Sequence, residues 1–129
     1  MSDEHREATI GFIGRLSPRK NPLGALDAFA RVHAEEPACR FVAVGSGAEG
    51  EQLARSIAAE GLRSSCRLFP TLPHNEALRL LATFSLLCHP GVIDERARSS
   101  GVPYVVLESQ ASGVPVVWPS KTPERIFTA

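Results

Sequence analysis

The chain has 129 residues, 43 % of them hydrophobic and 22 % charged, a length and balance that suit one folded domain and exclude a disordered chain. Fourteen Lys and Arg offset fourteen Asp and Glu, so there is no overall basic charge for nucleic acid and any anion site must be local. No apolar run approaches the ~18 residues of a membrane span, and the opening "MSDEHREAT" is polar and mixed in charge, so the expectation is a cytoplasmic protein without a membrane span.

The elements follow in order. "ATIGFIG" (8–14) reads as a buried strand closed by glycine. After the polar turn "RLSPRKN", Asn21 is placed to cap a helix with Pro22 at its first position. Leu23, Leu26, Phe29 and Ala30 keep helical spacing to about Glu36, and Pro37 ends it. "CRFVAVG" (39–45) is a second strand, followed by the glycine-rich "GSGAEG". A helix from 49 to 60 carries Leu53, Ile57 and Ala58 on one face, with Gly61 as its stop. "CRLFP" (66–70) is a third strand, 75–83 a helix through Leu78, Leu81 and Ala82, and "SLLCHP" (85–90) a fourth strand. Beyond the polar "GVIDERARSSG", a helix spans 103–112 with Gly113 after it, and "VPVVW" (114–118) is a fifth strand.

Alternating strands and helices, with short unbroken apolar strands, predict an α/β fold: a Rossmann-like parallel sheet with helices on both faces, in one domain. In such sheets ligands bind beyond the carboxyl ends of the strands, which gathers the loops 15–21, 45–50, 70–74 and 90–102 on one rim. Arg15, Arg19 and Lys20 lie in the first loop, between a strand end and a helix start, where cations and backbone N–H groups favour an anion. Gly45, Gly47 and Gly50 fit G-x-G-x-x-G as written, but on the second βα turn and without a strand-ending carboxylate about twenty residues on. That discounts an NAD site and leaves a tight turn as the plain alternative. Glu108 falls in the second turn of its helix among Val105, Val106, Leu107 and Ala111. Either it points outward while the valines pack, or it faces the crevice and accepts hydrogen bonds from ligand hydroxyls. The cysteines, Cys39, Cys66 and Cys88, follow no C-x-x-C spacing and read as small buried thiols in a reducing compartment. Cys88 and His89 are adjacent, but strand neighbours point to opposite faces, so no metal site is expected there.

With these pieces in order, the chain resembles the carboxy-terminal, donor-binding domain of a retaining nucleotide-sugar glycosyltransferase of the GT-B architecture, glycosyltransferase family 4. "GRLSPRKN" resembles the family's Gly-Arg-Leu-x-x-x-Lys-Gly loop, with Asn21 in place of the usual glycine. "FVAVGSGAEGEQL" resembles its second strand, glycine turn and helix. "LESQASGVPVV" resembles its Leu-Glu-Ala-x-Ala-x-Gly-x-Pro-Val-Val segment, and "TPE" (122–124) the Pro-Glu that follows. The resemblance implies that Arg15 and Lys20 hold the donor diphosphate beside the Gly45 turn, and that Glu108 accepts bonds from the ribose hydroxyls. It also implies that backbone around Phe69 to Leu72 contacts the base, while Gly101 and Val102 approach the phosphates or sugar. No cofactor is implied, and no metal held through Asp-x-Asp, a motif the sequence lacks.

Two departures shape the expectation. Ser100 stands where the family carries a sugar-facing glutamate, and a serine cannot supply its carboxylate charge. The family's acceptor-binding domain is not in this sequence, and the chain stops before the last strand and closing helices expected of the donor domain. The expected activity is therefore weak binding of a UDP-, GDP- or ADP-linked sugar, with transfer requiring a separate acceptor domain. A non-catalytic nucleotide-binding or interaction module derived from such a domain is the alternative, with a generic NAD-binding domain behind it. An open last strand exposing Val116, Trp118 and Ile126 would favour self-association.

Overall fold

The computed structural model describes residues 8–91 and 104–117. Five strands and four α-helices alternate: β1 (Thr9–Ile13), α1 (Pro22–Glu35), β2 (Arg40–Val44), α2 (Gly50–Ala59), β3 (Cys66–Phe69), α3 (His74–Leu81), β4 (Leu86–Cys88), α4 (Tyr104–Ala111) and β5 (Val116–Val117). The strands form one parallel sheet in the order β3-β2-β1-β4-β5. This is the Rossmann-like arrangement expected. Strand order reverses between β1 and β4, which leaves a crevice beyond their carboxyl ends.

The sheet divides two apolar layers. On one face, Phe12, Phe41 and Ala43 pack with Ala25, Leu26 and Phe29 of α1 and Leu53 and Ile57 of α2. On the other, Val42, Val44, Leu87 and Val116 meet Leu81 of α3, Phe84 and Val106 of α4. β1 is covered on both sides, which is why "TIGFI" reads as an unbroken apolar run. Gly11 lies within it because a Cβ there would fall 2.0 Å from the Phe84 ring.

Helix boundaries agree with the sequence signals to within two residues. Asn21 caps α1 through its side chain, accepting from Gly24 N at 3.0 Å, in left-handed backbone (φ 58°). That conformation explains how Asn replaces a family glycine: Asn and Gly are the residues that enter this region most readily. Gly61 (φ 70°) and Gly113 (φ 78°) end α2 and α4 in the same region.

The differences lie at the edges. β3 is an edge strand with Arg67 and Leu68 exposed, not a strand buried on both faces. Ala58 and Ala82 are exposed, because Leu53 and Ile57 alone define the buried stripe of α2 and Ala82 is already the cap beyond α3. β4 and β5 are shorter than their apolar runs, since they pair only at Leu87↔Val116 and Cys88↔Val117. Val116, expected at an exposed edge, is buried (4 %) beneath α4, and Val117 is the exposed residue (54 %). Trp118 and Ile126 lie outside the described residues. All three cysteines are unpaired: Cys39 and Cys88 are buried and Cys66 half-buried. Burial pushes the Cys66 and Cys88 thiols up to about 11, so neither is poised as a thiolate.

Candidate functional site

Backbone bonds continue past the ends of the strands and tie the rim loops together. Gly14 N donates to Val44 O at 3.0 Å, Leu16 N to Ser46 O at 3.0 Å, Gly45 N to Phe69 O at 2.9 Å and Glu49 N to Leu16 O at 2.8 Å. Thr71 N also donates to Ser46 Oγ at 3.2 Å. The glycine-rich turn owes its composition to this closeness. A Cβ on Gly45 would lie 1.8 Å from Gly14 O, and one on Gly47 2.5 Å from Leu16 O. The tight-turn explanation therefore accounts for both glycines without a ligand, although Gly45 also lines the rim.

Three adjoining depressions follow that rim. The largest, ≈ 580 Å³, opens at the switch point between Ile13 and Gly14 of the β1 end, Lys20, His89 beyond β4, and Val105 and Glu108 of α4, with His74 at one side. A second, ≈ 290 Å³, shares Ile13 and Gly14 and is lined by Arg15, Gly45, Ser46, Thr71 and Leu72. A third, ≈ 340 Å³, shares Leu72 and is lined by Phe69 and Arg79 among others. Phe69 is half-buried, with the Arg67 guanidinium carbon 5.5 Å from its ring centroid.

Of the residues singled out in the sequence, Lys20 and Glu108 thus meet in one cleft, with Arg15, Gly45 and Leu72 in the neighbouring depression and Phe69 in the third. Ser100, Gly101 and Val102 lie outside the described residues. Glu108 faces the cleft and does not point away from it. Its neighbours Val106 and Ser109 are buried, and Ser109 Oγ donates to Val114 O at 2.8 Å, which fixes the rotation of α4. Pro22 has no N–H and Gly24 donates its own to Asn21, so the first turn of α1 is largely self-capped. On this rim the charges of Arg15 and Lys20, more than free N–H groups of the first turn, are what an anion would meet.

Two histidines complete the cleft. His89 is 5 % exposed, and desolvation together with the nearby Lys20 charge lowers it to about 4, so its imidazole is neutral at physiological pH. Strand alternation carried the signal for His89: Cys88 enters the α1–α2 layer while its neighbour turns to the crevice. His74, at the start of α3, places Nε2 3.3 Å from Glu108 Oε2. No local pattern foretold that contact, because it joins two helices distant in sequence.

The sequence profile described as "Glycosyl transferases group 1" matches residues 2–123. The chain belongs to that family. Its Rossmann-like fold is that of a GT-B glycosyltransferase domain. Among curated proteins it is similar to D-inositol 3-phosphate glycosyltransferases. That of Thermobispora bispora is 38 % identical over 114 residues (81 % of this chain, 25 % of the relative), and that of Segniliparus rotundus is 28 % identical over 115 residues (86 % and 24 %). The chain spans about a quarter of the length of these relatives. Among solved structures, HepE of Anabaena in complex with UDP and glucose superposes with a TM-score of 0.70 at 25 % identity, covering 87 % of this chain and 29 % of that one. The pneumococcal O-GlcNAc transferase GtfA, in complex with UDP and GlcNAc, matches in fold with a TM-score of 0.74 at 19 % identity, covering 91 % and 22 %. No helix among the described residues is long and apolar enough to cross a membrane.

Proposed function

We propose that this chain is the donor-binding domain of a retaining, metal-independent glycosyltransferase of family 4, acting in the cytoplasm on a UDP-, GDP- or ADP-linked sugar. The observation that carries the reading is the switch-point cleft into which Lys20 and Glu108 both face. These are the positions that the family resemblance gives to the donor diphosphate and ribose. The solved HepE complex with UDP and glucose, on a related fold, supports a nucleotide-sugar donor.

In this reading Arg15 and Lys20 bind the diphosphate, and Glu108 accepts bonds from the ribose hydroxyls. The segment Phe69 to Leu72 holds the base, while Gly101 and Val102 approach the sugar and phosphates. As the glycosidic bond breaks, its electron pair leaves with the nucleoside diphosphate, whose added charge the two cations stabilise. Transfer requires an acceptor-binding domain to complete the cleft. Ser100, in place of a sugar-facing glutamate, favours a second reading: a domain that binds nucleotide without transferring sugar.

A thermal-shift panel with UDP, GDP, ADP, NAD and the corresponding nucleotide sugars tests the proposal on the wild type and Glu108→Ala. At about a hundred times its dissociation constant, a specific ligand adds roughly 2.7 kcal/mol. A shift with one nucleoside diphosphate, clearly reduced in the variant, is the expected result. A tighter grip on the nucleotide sugar than on the bare nucleotide favours the transferase over the binding module. A shift with NAD alone, or with none of the ligands, overturns the donor-site reading.

A further inference from the structure

Glu108 reaches the cleft on a side chain with three rotatable bonds, and fixing such a chain costs rotamer entropy. A ligand that must do the fixing binds more weakly than one that finds the carboxylate already placed. The rotation of α4 is set by buried Val106 and Ser109, but that anchors the Cα and leaves the carboxylate free to turn. What holds the far end is His74, whose Nε2 lies 3.3 Å from Glu108 Oε2. The carboxylate side chain is 31 % exposed and the imidazole 66 %, so the contact sits at the mouth of the cleft with the histidine on the solvent side. With a proton on Nε2, the imidazole turns a donor group toward the carboxylate at this distance. Among the described residues His74 approaches Oε2, which leaves Oε1 for a hydroxyl of a bound ligand.

We propose that His74 is a positioning residue for the nucleoside subsite, holding the Glu108 carboxylate across the α3–α4 gap in the orientation that accepts a ribose hydroxyl. The inference rests on the donor-site reading above and adds a residue on a different element, whose effect passes entirely through Glu108. It also sets sugar discrimination, because a carboxylate held in place rewards the hydroxyl that deoxyribose lacks.

The test is calorimetric titration of the 129-residue chain with whichever of UDP, GDP or ADP binds best, and with its 2′-deoxy counterpart. His74→Ala is expected to weaken ribonucleotide binding roughly two- to fivefold, the size of a partly exposed ion pair. It is also expected to narrow the preference for ribose over deoxyribose. His74→Gln, which keeps a donor, restores most of both. In a Glu108→Ala background the substitution at His74 has no further effect, and thermal melts of all variants match the wild type because His74 is exposed. Unchanged or tighter binding by His74→Ala overturns the inference and leaves the donor site standing. An equal loss in the Glu108→Ala background also overturns it, since His74 would then act on the ligand directly. If the wild type binds none of the three diphosphates, the donor-site reading falls and this inference falls with it.

Discussion

The two faces of the sheet are built for different ends. Beneath α1 and α2, Phe12, Phe29 and Phe41 are all fully buried, and the Phe29 and Phe41 rings stack with centroids 5.4 Å apart. Among the described residues the buried polar side chains are His89 and Ser109, next to the cleft and on α4. Beneath α3 and α4 the layer is made of valines, leucines and one phenylalanine, and its upper rim opens into the cleft with Lys20, His74, His89 and Glu108. Aromatic bulk fills one side, and the crevice beyond the carboxyl ends of β1 and β4 gathers polar groups on the other.

The contrast makes predictions that differ in kind as well as size. Phe41→Ala removes a fully buried ring from the aromatic layer and should cost about 3–5 kcal/mol, read as a fall in the urea midpoint or as failure to fold. A loss below about 1 kcal/mol would mean that this face is not the stabilising one. On the cleft side, the lowered pKa of His89 ties stability to pH. Above pH 6.5 the group is neutral in both states, and its contribution is complete. Between 6.5 and about 4 only the unfolded chain takes up the proton, so stability declines as pH falls, by roughly 3 kcal/mol in all, and levels off below 4. The acid limb of the wild type should therefore be steeper than that of His89→Gln across this window, measured by denaturant melts at stepped pH.

Glu108→Ala should separate the two faces most cleanly. Its carboxylate is partly exposed, so the melting temperature should barely move while nucleoside diphosphate binding falls about tenfold, the loss of one hydrogen bond to a charged group. A variant that unfolds would show Glu108 to be structural. The smallest effect belongs to Asn21→Gly. Gly tolerates the left-handed backbone as well as Asn does, so only the cap to Gly24 is lost and stability should change by a few tenths of a kcal/mol. Asn21→Ala, which forfeits both cap and conformation, should cost more.

Much of this was legible in the sequence because it depends on neighbours along the chain. Leu26 and Phe29, Asn21 before Pro22, and the glycines at 61 and 113 announce helices, their starts and their stops through local sterics and hydrogen bonding. The unbroken apolar strands then imply a covered parallel sheet, and the ordered motifs identify the family. The glycine turn was harder to read. Nothing local distinguishes a phosphate-binding turn from one required by the approach of Gly14 and Leu16, which the register of β1 against β2 creates.

The sequence by itself determined which segments fold into which elements, and that Lys20 and Glu108 bear charges suited to a polar ligand. Only the tertiary structure decided that Glu108 and Lys20 line one cleft beyond the carboxyl ends of β1 and β4, that His89 is buried and neutral beside them, and that His74 reaches the Glu108 carboxylate. The physical reason is range. Propensity and capping act over a few residues, whereas the cleft is made by a reversal of strand order that brings together side chains from four separate parts of the chain.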